Sequence, residues 1–396
     1  MSDLTLYQAL DVIDNLVLES ETRTEVLPFD QAVGRILAED LYWDRAHPPY
    51  NRAAMDGYAF PQNPVKGSKW VIVGTSRAGK RFEGEVKSGQ CVKIATGALV
   101  PDACTTVVPW EKTAFSEKEV TINQEVKPGA NIHLKGSDLQ KGEMAVKKGT
   151  CLTEGHVALL STIGAHKLRV QKPVRLALLS TGSELVAIDQ KPGTEQVRAS
   201  NFYTLKTLIA RNRKVELVAA EFLEDDFEAL ERWFASVENA VDCFLVTGGV
   251  GTSDYDLVPE LSEKRGFKTL LHGLAIKPGH PLFLSRKGDR VVLGLPGNPV
   301  SAVACYTMFA TRLIRKLQKI SNQPFASFEA GEDLVNGGKR LLMRPVRMNG
   351  KYVYPARWNG SGDVSALAHI DGFALIEPRS QINKGCLAEC IAMGLE

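Results

Sequence analysis

The sequence predicts a multidomain α/β protein, in which a doubly wound α/β domain is flanked by two mainly β regions. Residues 1–170 form an N-terminal mainly β region with helices, 171–322 the α/β domain, and 323–396 a small C-terminal β-barrel. Two observations support this prediction. Between 171 and 322, uninterrupted apolar runs alternate with helical patterns, as expected for strands buried on both faces of a sheet. On either side, short β-rich runs are separated by Gly and Pro turns.

The N-terminal region begins with a helical pattern. Apolar residues recur at helical spacing from Leu6 to Val17, and Thr5 is placed to cap the helix N-terminus. The other predicted elements of this region are a strand at 26–29, a short helix at 31–38, a β-rich subdomain at about 47–149 and a helix at 154–163.

The α/β domain is predicted from strands that alternate with helices. The runs 174–180 and 241–246 are continuously apolar, which indicates strands buried in a parallel sheet. The remaining predicted strands lie at 215–220 and 291–295, and the helices at about 200–210, 226–237, 256–264 and 301–320.

The C-terminal region returns to a β pattern. Asn349-Gly350 and Asn359-Gly360 supply the strongest short hairpin signals. The predicted strands lie at 340–347, 352–357, 372–377 and 387–393.

Composition excludes several classes of protein. Among 396 residues, 48 Lys and Arg nearly balance 46 Asp and Glu, so the net charge of +2 gives no reason to expect a nucleic-acid partner. The chain start lacks a signal-peptide pattern, and no run approaches the ~20 apolar residues that span a bilayer. The seven cysteines suit reduced, packed thiols, with Cys386 and Cys390 interpreted as strand residues. We therefore expect a cytoplasmic protein without a membrane partner.

Three glycine-bearing loops follow predicted strands of the α/β domain. In open α/β sheets, ligands bind outside the carboxyl ends of the strands, where such loops lie. Glycines let backbone amides approach an anion closely, and a helix N-terminus adds partial positive charge. A single loop of this kind is weak evidence, but three on one sheet edge predict an anion site. The loop residues are Ser180, Thr181, Gly182 and Ser183, then Gly248, Gly249 and Val250, then Pro296, Gly297, Asn298 and Pro299.

Acidic residues accompany these loops. Glu184 and Asp254 each follow a glycine-bearing turn, and Asp225 follows the strand region 215–223. Carboxylates directed towards a phosphate site are typical Mg²⁺ ligands, which makes Glu184 and Asp254 the candidate metal ligands; by spacing alone, Glu184 could equally be a structural residue. A simpler interpretation of Asp225 and Asp226 is that they cap a helix.

Other short motifs have simpler interpretations when each is taken alone. Asp56-Gly57 and Gly136-Ser137-Asp138 resemble plain turns, as does Thr96-Gly97. The segment 277–281, Lys-Pro-Gly-His-Pro, is a rigid turn whose lysine suits phosphate binding or a solvated surface equally well.

Taken together and in this order, these motifs resemble the MoeA family of molybdopterin molybdenumtransferases, whose eukaryotic relative is the gephyrin E domain. The resemblance runs along essentially the whole chain. It rests on 54–59 (Ala-Met-Asp-Gly-Tyr-Ala), Thr96-Gly97-Ala98, Gly136-Ser137-Asp138, 180–185 (Ser-Thr-Gly-Ser-Glu-Leu), 247–250 (Thr-Gly-Gly-Val), Asp254-Tyr255, 276–279 (Ile-Lys-Pro-Gly) and 295–301 (Leu-Pro-Gly-Asn-Pro-Val-Ser).

The resemblance implies an architecture, a reaction and a partner. It implies an elongated four-part subunit, a homodimer with the active site between subunits, and transient contact with an adenylyltransferase. The implied reaction is Mg²⁺-dependent insertion of molybdate into adenylyl-molybdopterin with release of AMP. Because the dithiolene sulfurs belong to the pterin, no protein cysteine is required.

The resemblance also implies residue roles. Asp56, Thr96 and Asp138 match cleft positions of the N-terminal half, and Glu184, Asp225 and Asp254 match acidic positions associated with Mg²⁺ and substrate. The 296–299 loop matches the border of the pterin and nucleotide site. Residues matched to oxyanion contacts or to the same cleft are Lys277, Arg344 and Ser361.

One departure from the family and three alternatives stay open at this point. Many relatives have a second lysine where this chain has His280, which is only partly charged near neutral pH. The alternative functions are a molybdopterin adenylyltransferase, a non-catalytic gephyrin-like scaffold, and an enzyme that uses tungstate. The N-terminal acids and the C-terminal β domain argue against the first, because that enzyme is typically the α/β domain alone.

Overall fold

The structure, a computed structural model, describes residues 3–253, 256–322 and 324–394. The chain forms two compact units. One contains Met1–Leu27, Gln31–Ala38 and Arg169–Glu396, and the other contains Pro28–Asp30 and Glu39–Leu168. The predicted division into three domains stays a prediction.

The N-terminal half is mostly β, as predicted. Its largest sheet has the strand order β7-β4-β6-β5-β9-β8 and packs around Tyr58, Phe60 and Trp70. In chain order the elements are α1 (Leu6–Asp14), β1 (Thr24–Pro28), β2 (Leu41–Tyr42), β3 (Arg52–Ala53), β4 (Gly57–Phe60), β5 (Lys69–Ser76), β6 (Gln90–Ile94), β7 (Thr106–Pro109), β8 (Thr113–Phe115), β9 (Glu119–Ile122), β10 (Ile132–His133), β11 (Met144–Val146), α2 (Glu154–Thr162) and β12 (Lys167–Gln171).

The first two predicted helices have different outcomes. Helix α1 is confirmed, and Thr5 closes a capping box with Gln8, in which each side chain bonds the other residue's backbone amide. The helix predicted at 31–38 is wrong. Only a 3₁₀ turn, Phe29–Gln31, forms there, and Gly34 has a φ of 81°, a left-handed conformation that an α-helix cannot continue through.

The central segment forms the predicted α/β sheet. In chain order its elements are β13 (Val174–Thr181), β14 (Leu185–Val186), β15 (Val197–Arg198), α3 (Ser200–Arg211), β16 (Val215–Leu223), α4 (Phe227–Val237), β17 (Cys243–Thr247), α5 (Leu257–Lys264), β18 (Lys268–His272), β19 (Ile276–Lys277), β20 (Phe283–Lys287), β21 (Arg290–Leu295), α6 (Pro299–Cys305) and α7 (Thr311–Leu317).

The sheet has the strand order β16-β13-β17-β21-β20-β18. The first four strands are parallel, and β20 and β18 extend the sheet in the antiparallel sense. Alternate residues of β13 enter two separate cores: Leu176 and Leu178 pack in one, Ala177 and Leu179 in the other. Burial on both faces explains why this strand is apolar throughout, since each fully buried Leu contributes about 1.5–3 kcal/mol.

The predicted helix 301–320 is interrupted. It begins earlier, with Pro299 in its first turn, where the missing amide hydrogen costs nothing. A π-helical turn, Tyr306–Ala310, then separates α6 from α7.

The C-terminal segment forms the predicted barrel. Strands β24, β25, β22, β28 and β26 close into a ring through an additional β24–β26 pairing, and closure removes exposed edges. Asn349-Gly350 turns the β24–β25 hairpin, with Gly350 at a φ of 58°. The elements are β22 (Ala326–Ala330), β23 (Leu334–Asn336), β24 (Leu341–Asn349), β25 (Tyr352–Pro355), β26 (Gly372–Ile376), β27 (Ser380–Ile382) and β28 (Leu387–Ala392).

None of the helices within the described ranges has the length and apolar character needed to cross a membrane.

Candidate active site

The three predicted loops meet at one cleft on the carboxyl edge of the α/β sheet. Ser180, Thr247 and Leu295 are in register across β13, β17 and β21, so the loops leave the sheet at the same level. The cleft has a volume of about 870 Å³. Predicted residues that line it are Ser180, Thr181, Gly182, Glu184, Asp225, Gly248, Gly249, Val250, Gly297, Asn298 and Pro299.

Asp225 is held in place by the first of these loops. The buried Thr181 hydroxyl donates a hydrogen bond to one carboxylate oxygen of Asp225, and the Ser183 amide donates to the other at 3.3 Å. The Asp225 amide in turn donates to the Ser183 hydroxyl at 3.2 Å. Each carboxylate oxygen of Asp225 therefore accepts one hydrogen bond from the loop and keeps a lone pair for a ligand. Its neighbour Asp226, not Asp225, caps α4 through the Ala229 amide.

Gly248 is required by the geometry of the second loop. Its φ is 89°, and a Cβ built there would lie 2.2 Å from the Thr181 carbonyl oxygen. Only glycine allows the two loops to approach this closely.

The third loop is tied to the second loop and to α3. The Thr247 hydroxyl donates to the Pro296 carbonyl at 3.0 Å, and the Asn201 side-chain amide donates to the Gly297 carbonyl at 2.6 Å. Pro296 itself is buried and does not line the cleft. Asn201 lines the cleft, and no sequence motif pointed to it.

A third carboxylate in the cleft, Asp256, was also missed. It accepts hydrogen bonds from the Ser253 hydroxyl at 2.6 Å and the Ser253 amide at 2.8 Å. Burial raises the pKa of Asp256, but these bonds, together with the Gly251 amide and nearby His272, outweigh burial and lower it overall. Asp256 is thus ionised at neutral pH. As the first residue of the predicted helix 256–264, it carried no functional signal in the sequence.

Glu184 lies on the cleft wall with its carboxylate folded over Gly182. It is exposed, and no described residue donates a hydrogen bond to its carboxylate. Asp254, the other predicted metal ligand, lies outside the described residues.

The described cleft residues can be tested as Mg²⁺ ligands. No group of three or more His, Cys, Asp or Glu among the described residues is arranged to hold a metal. Mg²⁺, however, keeps several waters and uses one or two carboxylates plus substrate phosphates. The carboxylates of Glu184, Asp225 and Asp256 supply only oxygen donors, so this donor set fits Mg²⁺ and not a softer metal.

The predicted basic residues lie on the barrel side of the same unit. Lys277 pairs with Leu342, two residues before Arg344, so Lys277 and Arg344 share one face of that sheet. The Arg344 guanidinium packs over the Trp358 ring at 5.7 Å and donates to the Ala356 carbonyl at 3.0 Å. Burial lowers the pKa of Arg344. Neither cation is among the residues that line the cleft.

Ser361 and His280 have structural contacts. The Ser361 carbonyl accepts from the Val300 amide at 3.0 Å, which fixes the C-terminal turn to the start of α6, and the next residue, Gly362, lines the cleft. His280 donates through Nδ1 to the Leu274 carbonyl at 2.9 Å, because a carbonyl can only accept.

The other unit brings Asp56 and Thr96 together. The Thr96 amide donates to the Asp56 carboxylate at 2.7 Å and its hydroxyl donates at 3.0 Å. These two bonds hold the pKa of Asp56 below its usual value. Gly57 is required here because a Cβ would lie 2.0 Å from the Val108 carbonyl oxygen.

Asp138 is held by a pair of residues that the sequence analysis missed. His133 Nε2 contacts the Asp138 carboxylate at 3.1 Å, and an Arg52 terminal nitrogen contacts His133 Nδ1 at 3.2 Å. Arg52 can only donate, so Nδ1 accepts and the proton of the neutral ring is on Nε2, directed at Asp138.

Two family models match the chain. Residues 4–164 match the MoeA N-terminal region (domain I and II), and residues 177–316 match a probable molybdopterin binding domain. Together they cover the segments that carry all the predicted acidic residues.

Whole-length comparisons agree with these matches. A molybdopterin molybdenumtransferase from Synechocystis is 32% identical over 87% of this chain and 88% of the relative, and one from Haemophilus influenzae is 31% identical over 75% and 74%. A solved structure described as a molybdopterin biosynthesis MoeA protein from Pyrococcus horikoshii covers 99% of both chains at 28% identity, with a TM-score of 0.79. The chain therefore belongs to the MoeA family of molybdopterin molybdenumtransferases.

Proposed function

We propose that this chain is a molybdopterin molybdenumtransferase: it binds adenylyl-molybdopterin, inserts molybdenum from molybdate and releases AMP. The observation that carries the proposal is the single cleft in which three loops and the carboxylates of Asp225, Glu184 and Asp256 converge. Relatives named for this reaction match nearly the whole chain. An adenylyltransferase restricted to the α/β domain would leave the N-terminal unit and the barrel without a role.

The loops position the diphosphate of the substrate. The Gly182 amide donates to the Leu223 carbonyl at 3.1 Å and the Gly248 amide donates to the Leu295 carbonyl at 3.2 Å, so these bonds fix the two turns at the cleft edge. The Pro296–Pro299 loop, fixed by Thr247 and Asn201, borders the nucleotide end. Because hydrogen bonds hold these loops before substrate arrives, little reorganisation energy is needed during the reaction.

Mg²⁺ is the proposed cofactor, with Glu184 and Asp254 as ligands and Asp225 beside them. When bound, the ion would neutralise charge on the phosphate oxygens. Thr181 and Ser183 keep Asp225 oriented towards the cleft, so this carboxylate keeps one geometry when substrate enters.

Molybdate is proposed to bind near Arg344, Lys277 and Ser361. Arg344 is half-buried and forms no ion pair with a described carboxylate, which favours an anionic ligand. A molybdate oxygen attacks phosphorus as the pterin sulfurs capture molybdenum, so the pyrophosphate bond breaks and AMP leaves. Tungstate, an oxyanion of nearly the same size, is the competitor to compare in the same assay.

A homodimer is also proposed, in which Asp56, Thr96 and Asp138 of one subunit complete the site of its partner. Two inactive variants test this idea. Asp56→Asn and Asp225→Asn, unfolded and refolded together, should regain activity, because some mixed dimers would contain one intact site. Activity that stays at the level of the separate variants would refute the shared site. The proposed location is the cytoplasm, with transient contact to the adenylyltransferase that supplies the substrate.

The catalytic assignment is tested by AMP release from adenylyl-molybdopterin with Mg²⁺ and molybdate. Asp225→Asn should slow release by about 10-fold or more, since it removes a negative charge beside the proposed Mg²⁺ site. The matched control is Glu224→Gln, an exposed neighbour outside the cleft lining, which should release AMP at the wild-type rate. Equal rates for both variants would show that the reaction does not use this cleft.

A further inference from the structure

Among the described residues that line the cleft, a single side chain, that of Arg198, is a cation. Arg198 is the only Lys, Arg or His in that set, and the carboxylates of Glu184, Asp225 and Asp256 line the same cleft. No motif in the sequence distinguished Arg198 from the other surface arginines.

Arg198 lies on the strand that pairs with β14, the strand that begins directly after Glu184. Strand β15 pairs in parallel with β14, with Val186 beside Arg198, and the Val197 amide donates to the Glu184 carbonyl at 2.9 Å. These contacts form a small two-stranded flap that carries one acid and one base to the same cleft. Helix α3 begins two residues after Arg198, and its Asn201 fixes the 296–299 loop.

The guanidinium is oriented but not neutralised. Its Nε donates to the Gln190 carbonyl at 3.1 Å. Gln190 lies in a tight turn that is closed by a hydrogen bond from the Gln190 amide to the Ala187 carbonyl. Its two terminal nitrogens make no hydrogen bond or ion pair with another described residue. One edge of the planar group is therefore fixed while its fork stays available.

We infer that Arg198 binds the phosphate of the adenylyl group in this cleft. A guanidinium fork matches two phosphate oxygens in a bidentate geometry, which a lysine cannot reproduce. Arg198 then supplies a positive charge that the three loops lining the cleft do not carry. This inference rests on the proposed function, because it assigns the nucleotide end of the substrate to this side of the cleft.

The test is calorimetric titration of the full chain with AMP, and with adenosine as a probe that lacks the phosphate. Arg198→Ala should bind AMP at least about tenfold more weakly, since even one hydrogen bond to a charged group contributes that much, and should bind adenosine as wild type does. Arg198→Lys should restore part of the AMP affinity. Arg232→Ala removes an exposed charge from α4, outside the cleft lining, and should change neither affinity.

Three outcomes would overturn the inference. In the first, Arg198→Ala binds AMP as wild type does. In the second, it weakens adenosine and AMP equally, which would indicate a structural role. In the third, it raises the KM for molybdate and leaves AMP affinity unchanged, which would place the oxyanion at Arg198 instead. Failure of wild-type protein to release AMP with molybdate would refute the proposed function, whereas the AMP titration judges Arg198 independently.

Discussion

Replacing Gly248 by alanine should damage both stability and activity, because the second loop has no room for a Cβ. At a φ of 89° an alanine is strained, which costs roughly 1–2 kcal/mol. Its Cβ would also lie 2.2 Å from the Thr181 carbonyl oxygen, so the loop must move by roughly 1 Å, and such overpacking costs about 1–3 kcal/mol. We expect a loss of about 2–5 kcal/mol in the free energy of unfolding. A 1 Å displacement at the cleft should lower AMP release by about 100-fold.

The matched control is Gly297→Ala in the third loop of the same cleft. Its φ is not positive, and the nearest atom to a built Cβ, the Cα of Gly248, is 3.7 Å away, an ordinary contact. Its stability in urea unfolding should stay within about 0.5 kcal/mol of wild type. If Gly248→Ala were as stable as wild type, or if Gly297→Ala lost as much stability as Gly248→Ala, the close approach of the first two loops would not be what holds this site in shape.

Three further predictions concern stability and thiol chemistry. Hydrogen bonding from Arg312 lowers the pKa of Asp14, so the contribution of Asp14 to stability is present above the unfolded pKa and is lost as pH falls through the folded pKa. The urea midpoints of wild type and Asp14→Asn should therefore differ at pH 7, and the difference should shrink as the pH falls below about 4. Thr5→Ala should cost about 1 kcal/mol in urea unfolding, through loss of the α1 capping box. A thiol reagent at pH 8 should modify exposed Cys386 rapidly and buried Cys91 slowly, because burial raises the pKa of Cys91 to about 12. Mass spectrometry of tryptic peptides measures the two labelling rates, and equal rates would contradict the burial of Cys91.

Much of the architecture follows from local patterns. The apolar runs at 174–180 and 241–246 predicted β13 and β17, because strands buried on both faces need no polar alternation. Strands β18 and β20 were missed. They extend the sheet in the antiparallel sense, and their sequences, Lys268–His272 and Phe283–Lys287, mix polar and apolar residues without a clear period.

The site was only partly predictable, because local sequence patterns reveal loops but not tertiary contacts. Loops at strand ends are visible in sequence, and the structure brings them to one cleft with Asp225. Side chains that depend on tertiary contacts are not visible. Asp256 and Asn201 were not distinguishable from other residues of their predicted helices, nor Arg198 from other surface charges. The β14–β15 flap places Arg198 on the cleft wall, the start of α3 places Asn201 there, and the start of α5 places Asp256 there.

The most direct test of the account is a single-turnover reaction of the purified protein with adenylyl-molybdopterin and Mg²⁺, started by adding molybdate. If the proposed reaction is right, AMP appears only after molybdate is added, in a one-to-one ratio with molybdenum bound to the pterin. AMP formed equally without molybdate, or molybdenum captured without AMP release, would contradict it.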